Sequence, residues 1–196
     1  TAGSVRMVRE AKARGLKVTA EACPHHFTLT EELTRGYNTH AKMNPPLRTL
    51  QDVQAIKEGL RDGTIDVIAT DHAPHATQEK QLEFTEAPFG IVGLETALSL
   101  TLALVDEGVL TLESAVEKLS TAPAKAFSLN AGTLAVGAPA DVAIVDPNRQ
   151  WQVDPSRFRS KSRNTPFAGW KVKGQVTTTI VSGRVVFELE PSGRQA

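Results

Sequence analysis

A single cysteine, Cys23, in 196 residues leaves no internal disulfide framework and points to a reducing compartment. Charge of one sign is not in excess either. Lys+Arg and Asp+Glu number 22 each, so the chain offers no electrostatic reason to seek nucleic acid or a membrane surface. Long apolar runs are missing as well. A membrane span needs ~18 apolar residues, and the longest run here, around 97–105, is interrupted by Ser99 and Thr101. These absences predict a cytoplasmic protein with no nucleic-acid partner and no membrane partner. An initiator methionine is also absent. "TAGSVRMVREAKARG" resembles no signal peptide and opens in what reads as a strand-to-helix turn, so we read the chain as part of a longer protein.

What is present suffices for a buried core: 40% of residues are apolar and 22% charged. Helix and strand signals alternate at first. A helix is predicted over 5–14 with Ser4 as its cap, and a strand over 17–23 ended by Pro24. A short helix follows Thr30. The two prolines of "AKMNPPLR", 41–48, forbid a helix there. Thr49 caps a helix over 50–61 with Leu50, Val53, Ile56 and Leu60 as its stripe. "DVIAT", 66–70, reads as a strand buried on both faces of a parallel sheet. A long polar stretch, 73–90, precedes an apolar helix over 92–106 and shorter helices from about Thr111 and Pro123. From Gly132 the texture changes to short β-like runs, "GTLAVGAPADVAIVD" and "GQVTTTIVSGRVVF", with an irregular polar segment between them. The tail "EPSGRQA" carries no legible motif.

This alternation predicts an α/β fold. The first part contains only two convincing strands, too few to close a barrel or shield a sheet on both faces. We place a boundary near 131, giving units 1–131 and 132–196.

The chemistry gathers at strand ends, where parallel barrels keep their reactive groups. Asp71 follows "DVIAT". A carboxylate there can bind a cation through oxygen or shuttle a proton, or it can simply end a turn. The adjoining "HAPH", with His72 and His75, weighs against a plain turn without deciding the matter. "EACPHH" places Glu21, Cys23, His25 and His26 after the other strand. Adjacent histidines on extended backbone point opposite ways, and Cys23 reads better as a buried small hydrophobe than as a ligand. Asn44 of "KMNPPLR" can donate to a carbonyl or carboxylate, or satisfy its own turn. His40 reads as a surface residue.

"KMNPPLR", "ATDHAPH" and "FGIVGLET", in that order, closely resemble the class I dihydroorotases of the amidohydrolase superfamily, and "EACPHHFTLTEE" and "NTPFAGWKVKGQV" fit the same family. The likeness covers essentially this whole chain but only the C-terminal half of such an enzyme. It implies the C-terminal part of a (β/α)8 TIM-type metal-dependent hydrolase barrel plus a small β-rich domain. It also implies reversible zinc-dependent cyclisation of N-carbamoyl-L-aspartate to dihydroorotate in pyrimidine biosynthesis. By resemblance, Asp71 is a zinc ligand and the proton-transfer group, Asn44 and His75 are substrate-binding, and Phe89 and Gly90 hold substrate through their backbone. One or two Zn²⁺ ions are implied, with most ligands upstream of Thr1. None of the five histidines fills those upstream positions, and His72 is expected to support the strand end. The isolated chain is therefore expected to be inactive. Its expected partners are the N-terminal half of the same enzyme, a second copy in a homodimer and, as a further possibility, aspartate transcarbamoylase. Two other readings stay open: a hydantoinase or allantoinase, and a non-catalytic dihydroorotase-like partner of the transcarbamoylase.

Overall fold

The computed structural model describes residues 1–190; the tail beyond Glu190 lies outside the described residues. Helix α1, Ala2–Ala13, is capped by Thr1, whose side chain accepts the Ser4 N–H. The helix thus begins one turn before the expected cap, because Thr1 is also a capping residue. It packs its buried Val5 against α3, Leu50–Arg61. Helix α3 has the predicted bounds and cap, with Thr49 accepting the Asp52 N–H. Its stripe of Val53, Ile56 and Leu60 is buried, whereas Leu50, in the first turn, is exposed.

Two strands lie in this part, as expected, but each is only two residues long. β1, Glu21–Ala22, and β2, Val67–Ile68, pair in parallel, with Glu21 opposite Val67 and Ala22 opposite Ile68. Pro24 ends β1 and at the same time opens helix α2, Pro24–Thr28. The missing N–H of a proline costs nothing in a first turn, and that is the signal the sequence reading overlooked. The 73–90 stretch contains one helical turn, α4, Thr77–Lys80. Helix α5, Ala97–Asp106, starts later than periodicity suggested, since residues 92–96 run through turns. α6, Leu112–Val116, is joined through a π-helical turn, Glu117–Thr121, to α7, Ala122–Ala126.

The last part is a three-stranded antiparallel sheet, β3–β4–β5, formed by Val142–Gln152, Lys171–Val181 and Arg184–Glu188. "GTLAVGAPA" forms no strand; β3 starts only at Val142 and runs on into the segment read as irregular. Between β3 and β4 the chain returns to the first part. Val153, Phe158 and Phe167 are buried in the same cluster as Val5, Phe27, Leu60, Ile68, Ile91 and Leu104.

Among the described residues no helix is long and apolar enough to cross a membrane.

Candidate active site at the ends of the parallel strands

The β1–β2 pairing sets both carboxyl ends at one rim, and Ala69 donates on to the Ala22 carbonyl at 3.1 Å. Beyond β2, Asp71 lies in the left-handed region, φ 49°. Asp tolerates this conformation better than most residues, and the turn leaves its carboxylate exposed. Among the described residues that carboxylate makes no hydrogen bond or ion pair. The next residues form a parallel bridge, His72 opposite Ile91, and Ala73 donates to the Ile91 carbonyl at 2.8 Å. The His72 Nδ1 accepts the Gly93 N–H at 3.1 Å and lies 3.4 Å from that of Leu94. It supports the strand end, as expected.

His75 and the Phe89–Gly90 pair are brought together. The His75 Nε2 lies 2.8 Å from the Phe89 carbonyl oxygen, and that oxygen can only accept, so Nε2 carries the proton. Gly90 gives its N–H to the Lys42 carbonyl at 2.8 Å. Its own carbonyl accepts from Lys80 Nζ at 3.1 Å and from the Asn164 amide at 3.2 Å. Gly90 is therefore spent on structure, and the Phe89 N–H is left without a partner among the described residues. No larger residue fits at 90. The backbone has φ +107°, and a Cβ would sit 2.5 Å from that of Ala73.

Asn44 lies on an exposed turn, before a cis bond to Pro45. Lys42 ties this segment to Gly90, and His26 ties it to the end of β1 through an Nε2 contact of 2.9 Å with the Pro45 carbonyl. Burial lowers the pKa of His26, and the Pro45 carbonyl and, more weakly, the Asp71 charge oppose it. The parallel register sets the ends of β1 and β2 side by side, so the Asn44 turn and Asp71 share one rim.

Two buried lysines hold the 84–90 loop through its carbonyls. Lys42 Nζ reaches Ala87 and Thr85 at 2.5 and 3.0 Å, and lies 4.6 Å from the Phe89 ring centre. Lys80 Nζ reaches Pro88 at 2.8 Å as well as Gly90. Burial, then the charge of Lys42, pushes the Lys80 pKa from 10.5 down to about 8. Between those values the unfolded chain holds the extra proton, so folding stability gains as pH rises from about 8 towards 10.5. In Lys80→Met that gain should disappear. Urea midpoints measured across this window, wild type against variant, check it; parallel curves would remove Lys80 as the source.

Cys23, His25 and His26 bring ligand-capable atoms within 4.8 Å of one another, closer than adjacent histidines on extended backbone allow, because α2 begins here. Burial holds all three neutral: the thiol is pushed up to about 12 and His25 down to about 3, with His26 also lowered. His40 is no simple surface residue. Its Nδ1 is buried without a partner among the described residues, and burial beside Lys80 lowers its pKa. The sequence reading also missed Asn164, which no local periodicity marks; its only signal was its place in "NTPFAGW".

A family model described as the amidohydrolase family matches residues 2–186. A dihydroorotase of Syntrophotalea carbinolica is 60% identical over 96% of this chain and 44% of its own length. One of Geobacter metallireducens is 58% identical over the same shares. The chain thus spans less than half the length of these curated relatives. Among solved structures, the L-hydantoinase (dihydropyrimidinase) from Arthrobacter aurescens superposes with a TM-score of 0.89 at 34% identity, covering 95% of this chain and 43% of that one. A D-hydantoinase from Thermus sp. superposes at 0.86 with 29% identity, over 94% and 42%. This architecture is that of the C-terminal part of such a hydrolase barrel with a β-rich portion, and the chain belongs to the amidohydrolase family.

Proposed function

We propose that the protein carrying this chain is a dihydroorotase, interconverting N-carbamoyl-L-aspartate and dihydroorotate. The observation that carries the reading is the assembly on one rim of the exposed, unpaired Asp71 carboxylate and the His75–Phe89 contact of 2.8 Å. Identities of 55–60% to several curated dihydroorotases support it. The hydantoinase alternative rests on lower identities, 26–34%.

The amidohydrolase family is generally metal-dependent; we propose Zn²⁺, one or two ions, as the resident metal. The residues present fit a cation: Asp71 offers exposed carboxylate oxygens, a suitable donor, and no neighbouring donor competes for them. The remaining ligands would come from the upstream half of the enzyme. When bound, such a cation supplies activation of water and polarisation of the scissile carbonyl. In the hydrolytic direction Asp71 accepts the attacking water's proton and returns it to the ring nitrogen as the C–N bond breaks. In the cyclising direction it removes a proton from the carbamoyl nitrogen. Asn44, the His75 imidazole and the Phe89 N–H orient the substrate, and Gly90 lets the backbone approach.

As further parts of this proposal, residues 1–131 belong to the barrel and 132–190 to the β portion, with 153–170 returning to the barrel core. A cytoplasmic homodimer, with aspartate transcarbamoylase as a possible associate, completes it.

Assay of the zinc-loaded protein on dihydroorotate, hydantoin and allantoin tests the reading. Preference for dihydroorotate by on the order of 10²-fold in kcat/KM is expected. Faster turnover of hydantoin would transfer the reading to the hydantoinases, and inertness with no bound metal to a non-catalytic partner.

A further inference from the structure

We propose that Asn164 is a positioning residue for substrate binding, acting through His75 and the Phe89–Gly90 peptide. The inference rests on the proposed role of those groups in holding the substrate.

Asn164 is 2% exposed. Its amide nitrogen donates to the Ala73 carbonyl at 2.9 Å and to that of Gly90 at 3.2 Å. Its amide oxygen accepts the His75 N–H at 3.1 Å. The backbone partners fix which end is which, since carbonyls only accept and an N–H only donates. The Asn164 carbonyl also accepts the Val92 N–H at 3.0 Å. One residue therefore joins the segment leaving β2, the loop ending at Val92 and its own connector. The His75 Nε2 closes the circuit through the Phe89 oxygen at 2.8 Å.

The mount is rigid. Phe167, three residues on, is 1% exposed in the core, and Ser160 donates to Glu95 at 2.8 Å on the other side. A buried amide that spends both donors and its acceptor on three backbone groups leaves none of them orphaned. Without it, the His75 N–H and the Ala73 carbonyl lose their partner, and the Gly90 carbonyl keeps only Lys80. The His75 backbone and the Gly90 carbonyl then lose an anchor, and the segments that carry the His75 imidazole and the Phe89 N–H lose their fixed place. Asp71 lies before this circuit and touches none of it, so proton transfer is spared.

Steady-state kinetics of Asn164→Ala and the isosteric Asn164→Asp, in the zinc-loaded protein on dihydroorotate, test this. Losing buried hydrogen bonds worth about tenfold in affinity should raise KM roughly ten-fold in both variants. The expected kcat changes less than about three-fold. KM does not depend on how much enzyme is folded. A merely structural role would lower apparent kcat with KM unchanged, and that result overturns the proposal. Should the alanine variant fail to fold, the aspartate variant, which keeps the shape and removes both donors, decides. A wild type inert towards dihydroorotate would sink the functional reading alone. Hydrogen exchange then reads the positioning: the His75 amide should exchange about ten-fold faster in the variants, with α3 unchanged. Uniform acceleration, or none, overturns it.

Discussion

In the protein that carries this chain, Asp71→Asn should lower kcat by ~10²–10⁴-fold, the range general acid–base transfer contributes, while the unfolding midpoint stays close to wild type. Asparagine shares the tolerance of aspartate for the left-handed region, so φ 49° adds no strain. No hydrogen bond or ion pair among the described residues is lost with the carboxylate. What changes is chemical: an amide takes up no proton near neutral pH and is a poorer cation ligand. Zinc content separates the two losses. Full metal with low kcat isolates proton transfer, and reduced metal shows that Asp71 also anchors the ion. Activity within about three-fold of wild type, at full metal loading, would contradict both roles. Asp71→Ala is a poorer probe, because alanine at this φ adds roughly 1–2 kcal/mol of backbone strain and mixes stability into the result.

Asp71 was legible in the sequence because a continuous apolar run stops abruptly at titratable groups, and in parallel folds the residues just beyond a strand's carboxyl end come to lie at an open rim. The α3 helix was legible to its ends, since a capping Thr49 and a 3.6-residue stripe gave the same answer. The strands were legible as segments but overlong, because regular pairing covers only two residues of each. Asn164 and the two lysines were not legible as parts of the site. Their partners are backbone carbonyls and N–H groups, which carry no residue signature, and the partners of the Asn164 side chain lie 74–91 positions away. The buried position of Lys80 also runs against composition, since lysine is almost never fully buried; the carbonyls of Pro88 and Gly90 offset that cost. The closeness of Cys23, His25 and His26 was not legible, for a local reason. The alternation of side chains applies to extended backbone, and a helix starting at Pro24 replaces it.

Gly174→Ala should destabilise the fold far more than Gly15→Ala, although both glycines have positive φ, +91° and +76°. Gly15 faces open space, with no atom within 4 Å of an added Cβ, so its replacement costs only the left-handed penalty, roughly 1 kcal/mol. Gly174 lies in β4 where the sheet meets α5. A Cβ there would fall 2.2 Å from Leu102 Cδ1, and Leu102 is 4% exposed, with little room to turn away. Overpacking adds about 1–3 kcal/mol to a similar backbone cost, for a total of about 2–4. The displaced strand would also strain the bonds that fasten the sheet to the helix. The Gly174 carbonyl accepts from Ser99 Oγ at 2.7 Å and from Trp151 Nε1 at 3.0 Å. β3 sets three residues, 147–149, against Gly174 alone, two more than β4, just before the Gln150–Lys173 pair, and glycine is the residue that allows a strand to twist beside such a bulge. Thermal melts monitored by tryptophan emission test this. The Gly174→Ala midpoint should fall more than twice as far as that of Gly15→Ala, with Trp151 reporting a changed environment before unfolding. Equal shifts would mean that Leu102 yields freely, and that the contact between β4 and α5 is not what holds the sheet in place.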